Sequence, residues 1–196
     1  MRTLITFTVL AGAAALALAQ NANQQPKTPR DQSMYISEAK LREIMQKSPP
    51  GFSSRLISDT THSTAFIRLD KPDVPHAHGT WSEVFVIKEG DAVLETNGTI
   101  TGITGTNSAT HGAIFTDQQG NARPPAAAPQ QTTEQAARAE ARRAASGDLA
   151  GTAIEGGTRQ RVSAGDVILV PSGVPHHFVQ VDKPVVYLDI KFPPSK

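Results

Sequence analysis

The sequence predicts an all-β fold, an antiparallel barrel or jelly roll, with one short helix in front of it and an Ala-rich, partly helical insertion inside it. Three observations carry this expectation. From Phe52 onward, apolar residues recur in short runs at strand spacing. The runs are separated by turn signals such as Lys88-Glu89-Gly90-Asp91, Asn97-Gly98 and Pro171-Ser172-Gly173. A length of 196 residues with 38% hydrophobic composition suits one globular domain.

Taken in order, residues 1–19 read as a signal peptide: Arg2, an apolar run from Leu4, and the small-x-small end Ala17-Leu18-Ala19. The expected location is therefore exported, periplasmic or secreted, with no stable membrane anchor after cleavage. Residues 20–33 are polar and Pro-containing, a flexible lead-in. A single domain, 34–196, follows. Ser37 caps a predicted helix running to Gln46 or Lys47, with Leu41, Ile44 and Met45 on one stripe and Pro49-Pro50-Gly51 stopping it.

Strands are predicted at Arg55–Ser58, Ala65–Leu69, Glu83–Ile87, Ala92–Glu95, Val167–Val170, His177–Val179 and Val185–Phe192. Residues 101–160 interrupt this rhythm and read as an insertion. Within it, Thr132 or Thr133 caps a helix from about Glu134 to Ala145, and Gly147 ends it. That helix has no large apolar side chain, so it is expected to be solvated.

Composition narrows the chemistry. Loss of residues 1–19, whose one charged residue is Arg2, leaves 18 basic against 18 acidic groups, with no overall drive towards nucleic acid or an anionic membrane. Zero cysteines exclude disulfides, thiolate metal sites and a thiol nucleophile. What remains is His, carboxylate and hydroxyl chemistry, or a metal held by those groups.

The informative residues are His76, His78 and Glu83, followed far downstream by His176. Two histidines at i and i+2 leave the same face of an extended chain, and Glu83 opens a strand just beyond them. With an imidazole from a second strand they can enclose one divalent ion inside a small barrel, leaving open positions for water or substrate. The alternative is a hydrogen-bonded polar cluster without metal.

These stretches resemble the two motifs of the cupin superfamily. His76, His78, Glu83 and Gly90 match the first, and Gly165, Pro171, Gly173 and His176 match the second. Asp70 stands where a Gly often opens the first motif, and Gln180 replaces the final Asn of the second. The resemblance implies His76, His78, Glu83 and His176 as ligands of one divalent metal, with Fe, Mn, Zn, Ni and Cu not distinguished. It also implies a small-molecule ligand and a tendency to form homodimers.

The leading functional expectation is a metal-dependent enzyme of the dioxygenase or oxidoreductase type acting on a small oxygen-bearing molecule. The alternatives are a non-catalytic binding protein for a carboxylate or sugar, and a cupin isomerase or decarboxylase. Fold alone does not choose among these.

Strand alternation places Phe85 and Ile87 on the face of Glu83, and Phe178 and Gln180 on the face of His176, as the expected substrate wall. His177 points to the opposite face in a structural role, and His62 and His111 lack ligand-like spacing. Trp81 is a rim or core anchor as readily as a stacking surface. In the last strand Tyr187, Asp189 and Lys191 alternate against Val186, Leu188 and Ile190, and the polar set is expected to face water.

Overall fold

The computed structural model describes residues 35–58, 61–105, 112–116, 122–123 and 132–194. The segments expected to be a signal peptide (1–19) and a lead-in (20–33), and His111, lie outside the described residues. Helix α1 spans Glu38–Lys47 and is followed by strands β1 (Phe52–Ser58), β2 (Ser63–Leu69), β3 (His76–Ala77), β4 (Ser82–Thr96), β5 (Thr99–Thr101), β6 (Gly112–Thr116) and β7 (Ala122–Arg123). Helix α2 (Thr133–Ala145) precedes β8 (Leu149–Ala150), β9 (Ala153–Glu155), β10 (Thr158–Ser163), β11 (Val167–Val170) and β12 (His176–Phe192).

The main sheet runs β10-β4-β12-β2-β1-β6-β7, with β11 added to β4, and β3 between β12 and β8. Most pairings are antiparallel; β1 with β6 is parallel. The architecture is the predicted β-barrel of jelly-roll type.

Two pairs of predicted strands prove to be single long ones. β4 runs through Lys88–Asp91, and β12 runs through Asp182-Lys183-Pro184. The two bend together: their register shifts at Lys183 and Val186, where Pro184 supplies no N–H to the ladder. Gly90 sits opposite this bend at φ +87°, and a Cβ there would lie 2.1 Å from the Pro184 carbonyl oxygen. Only glycine permits that approach, so the motif glycine marks a bend inside a strand rather than its end.

The expected insertion is also shorter than 101–160. β8 pairs with β3, and β10 pairs with β4 over Thr158–Ser163. β10 escaped notice because only Val162 of its six residues is buried, leaving no apolar alternation to read. α2 ends where Gly147 N–H donates to the Ala144 carbonyl at 3.0 Å.

The sheet buries apolar side chains on both faces. Outside, α1 sets Ile44 and Met45 against Leu56, Phe66 and Val186. The Ser37 hydroxyl accepts the Lys40 N–H at 3.2 Å and starts the helix. Inside, Ile67, Phe85, Ile87, Leu94, Val170, Phe178 and Tyr187 form the barrel core. Adjacent residues therefore serve different layers: Phe66 and Val186 lie under the helix, Ile67 and Tyr187 inside the barrel. Each fully buried side chain of this size contributes about 1.5–3 kcal/mol. Among the described residues no helix is long and apolar enough to cross a membrane.

Candidate metal centre

Backbone contacts set the site before any side chain does. His176 on β12 pairs in register with His76 on β3, and Glu83 on β4 stands between Lys191 on β12 and Val170 on β11. The Pro171-Ser172-Gly173 turn clamps the first motif. Ser172 Oγ donates to the Gly79 carbonyl at 2.6 Å, and Gly173 N–H donates to the His78 carbonyl at 2.8 Å. On the other side, Gly79 touches the end of α2 so closely that an added Cβ would fall 2.0 Å from the Ser146 carbonyl oxygen. That contact lets Asp148 Oδ1 accept the Gly79 N–H at 3.0 Å.

All four predicted ligand residues are brought together and buried. His76 and His78 are each 8% exposed, and Glu83 and His176 each 2%. Ring centroids lie 4.3 Å apart for His76 and His176, and 5.3 Å for His76 and His78. The Nδ1–H of His76 donates to the Val74 carbonyl at 2.7 Å, and that of His176 to the Val174 carbonyl at 2.9 Å. In a neutral ring this leaves Nε2 as a lone pair facing the cavity.

His176 Nε2 then lies 2.9 Å from Glu83 Oε2, and His78 Nε2 lies 3.6 Å from Glu83 Oε1. Despite the short distance, neither Glu83 Oε2 nor His176 Nε2 has a well-directed hydrogen-bond partner. A neutral imidazole nitrogen and a carboxylate oxygen are both acceptors, so a proton or a metal ion must reconcile them. Three histidine ligand atoms within 4.8 Å of one another could hold such an ion, and the nitrogen/oxygen donor set suits a divalent transition metal.

The electrostatics follow from burial and proximity. Burial, with His176 and His78 nearby, holds His76 well below the usual imidazole range. Burial opposes charge on His176 as well, but Glu83 outweighs it and raises that pKa. Burial alone would raise Glu83, yet Lys191, His176 and His78 hold it well below the usual carboxylate range.

The ligand residues line a partly open cavity walled also by Ile67, Asp73, Phe85, Phe178, Tyr187, Asp189 and Lys191. Phe85 and Phe178 stand where strand alternation put them. Two members of the expected wall do not. Ile87 is 1% exposed and lies in the barrel core, outside the cavity lining. Gln180 is exposed and its amide donates to Asp182, because a register shift between Phe178 and Gln180 breaks the alternation.

The last strand reverses the expectation for its polar set. Tyr187 and Asp189 are each 3% exposed and, with Lys191, face the interior. Of the apolar alternates, Val186 is buried and Leu188 partly buried, but under α1, so an apolar face did not have to be the barrel's inner one. His177 sits outside the ligand group, with Nε2 3.0 Å from Glu95 Oε2. His62 contacts Thr61, and Trp81 is half-buried in its loop.

Asp73 and Asp148 had no motif to mark them. Asp73 Oδ1 accepts the Phe178 N–H, and burial pushes its carboxyl up to about 6. Asp148 lies 3.7 Å from His78 Nδ1.

The sequence model of the family described as "Cupin domain" matches residues 124–191, which include His176 and Lys191. This match over about a third of the chain, together with both motifs set on a jelly-roll barrel, supports membership of the cupin superfamily. No curated protein matches the sequence. Among solved structures, a protein from Bacillus halodurans is similar at 10% identity and TM-score 0.47, over 88% of this chain and 89% of that one. A hydroquinone 1,2-dioxygenase from Sphingomonas sp. TTNP3 with 4-hydroxybenzoate bound is similar at 9% identity and TM-score 0.43, over 89% and 87%. A cupin-2 domain containing protein from Shewanella frigidimarina is similar at 12% identity and TM-score 0.38, over 78% and 90%.

Proposed function

We propose that this chain is an exported, metal-dependent cupin enzyme, an oxidoreductase of the dioxygenase type acting on a small oxygen-bearing molecule. The observation that carries the reading is the buried group of His76, His78, Glu83 and His176 lining a partly open cavity. Bound there by three neutral imidazoles and one carboxylate, a redox-active iron or manganese ion would keep a net positive charge and open positions, and so supply oxygen activation beside the substrate.

The chain's own residues do the rest. The carbonyls of Val74 and Val174 hold the tautomers of His76 and His176. Asp148 faces Nδ1 of His78 and favours a proton there. Phe85, Phe178 and Tyr187, with ring centroids 4.9–6.3 Å apart, form an aromatic wall that excludes water and fits a flat molecule.

The test is elemental analysis of protein from its native compartment, joined to oxygen uptake over small phenols, diketones and sugars. Iron or manganese with uptake supports the reading; a zinc-filled site with no uptake overturns the oxidoreductase assignment. A mass of the exported protein matching a start at Gln20 supports cleavage after Ala19, and a full-length mass contradicts it.

A further inference from the structure

Lys191 lies across the β12–β4 pair from Glu83. Its Nζ is 2.5 Å from Glu83 Oε1, 2.9 Å from His78 Nε2 and 3.6 Å from Asp189 Oδ2. It thus engages two of the four residues that the metal-dependent reading needs.

His78 has one lone pair to offer. With the Nδ1 proton directed at Asp148, Nε2 accepts the Lys191 ammonium or binds a metal ion, but not both. A dication on His78 and Glu83 therefore turns the ammonium out of its position and repels it. The Lys191 backbone stays in place, because β12 is paired along this stretch with β2 on one side and β4 on the other, so its ammonium remains within side-chain reach of the site. Asp189 is the carboxylate next within reach, but its charge also acts on the Arg55 guanidinium, so its attraction is shared. An ammonium held beside a dication is stabilised best by an anion that both can contact.

We propose that Lys191 is the specificity-determining anchor of this site: it yields His78 and Glu83 to the metal and binds an oxyanion of the substrate, such as a carboxylate, enolate or phenolate oxygen, that also faces the metal. The side chain is placed for this, lining the cavity with 23% of its surface exposed. The proposal rests on the metal-dependent reading above and adds the charge class of the substrate to it.

The test uses the mature protein as wild type, K191M and K191R, with K191Q as a second neutral variant and circular dichroism as the check on folding. Each is titrated first with Co²⁺ and then with benzoate or the neutral benzamide, read by Co²⁺ visible absorption. K191M is expected to bind Co²⁺ more tightly, on the order of tenfold, because no ammonium competes for Glu83 and His78. The preference for benzoate over benzamide is expected to fall on the order of tenfold in K191M and K191Q, the share of one charge-assisted contact, leaving the share due to the metal, and to persist in K191R.

Unchanged Co²⁺ affinity and unchanged benzoate preference in both neutral variants would overturn the role of Lys191 while leaving the metal site standing. Absence of Co²⁺ uptake by wild type and K191M alike would overturn both readings, since Lys191 would then be the fixed counter-ion of Glu83.

Discussion

Glu83→Gln is the substitution that asks most of the site. It keeps the volume of a side chain 2% exposed but removes the carboxylate facing Lys191 at 2.5 Å. Leaving a fully buried charge without its partner costs about 3–5 kcal/mol. Lys191 is 23% exposed and has Asp189 Oδ2 at 3.6 Å as a fallback, so the figure is discounted to about 1–3 kcal/mol. For a domain of this size that is a fall in Tm of roughly 3–10 °C.

The assay is urea unfolding in chelator, across pH, of wild type, E83Q, K191M and the double variant. Because the folded-state pKa of Glu83 is held below its ordinary 4.5, its contribution is present above that value and lost as pH falls through the folded one. The gap between wild type and E83Q should therefore be full at pH 7 and narrow only below about pH 4. In the K191M background E83Q should be nearly neutral or stabilising, since the uncompensated partner is gone. Additive effects of the two substitutions, or a gap that widens on acidification, would refute the coupling.

Two further outcomes follow from the same geometry. Asp73, pushed up to about 6 by burial from an ordinary 3.8, makes the fold lose stability as pH rises from about 4 to 6. Asp73→Asn can keep the Oδ1 acceptor for Phe178 N–H without the charge, so it should be more stable than wild type above about pH 6, and a gap that does not change between pH 4 and 6 in urea melts would contradict this. Gly79→Ala drives a Cβ into the backbone of Ser146 and Gly147, separating Asp148 from the His78 segment. It should weaken Zn²⁺ binding by calorimetry about tenfold or more while Gly156→Ala, whose Cβ meets nothing within 4 Å but whose φ is +69°, alters stability alone.

Much of this site was legible in the sequence because it rests on local rules. The i, i+2 spacing of His76 and His78 fixes a shared face on any extended chain, and Ser37 with the Leu41–Met45 stripe specifies α1 as it is found. What failed were inferences that needed tertiary information. Alternation put Gln180 in the cavity, but one bulge after Phe178 turned it out.

Alternation alone sends the polar set Tyr187, Asp189 and Lys191 to solvent, because it supposes that apolar residues face a single core. α1 provides a second one, freeing the polar face to line the cavity. Asp148 enters the site only through the contact between Gly79 and the end of α2, which no spacing encodes. The bend at Gly90 and Pro184 reads locally as two turns, because glycine and proline mark a bend without telling whether pairing continues through it.

On the proposed reading, His76, His78, Glu83 and His176 act together as one metal-binding unit. Metal stoichiometry measures it most directly: wild type, His76→Ala, Glu83→Ala and His176→Ala, each purified from the native compartment, with circular dichroism confirming the folded barrel. About one divalent ion per chain is expected in wild type, and its loss in all three variants, as when one ligand of a closed set is removed. Folded His76→Ala and Glu83→Ala proteins that retain the wild-type stoichiometry would contradict it.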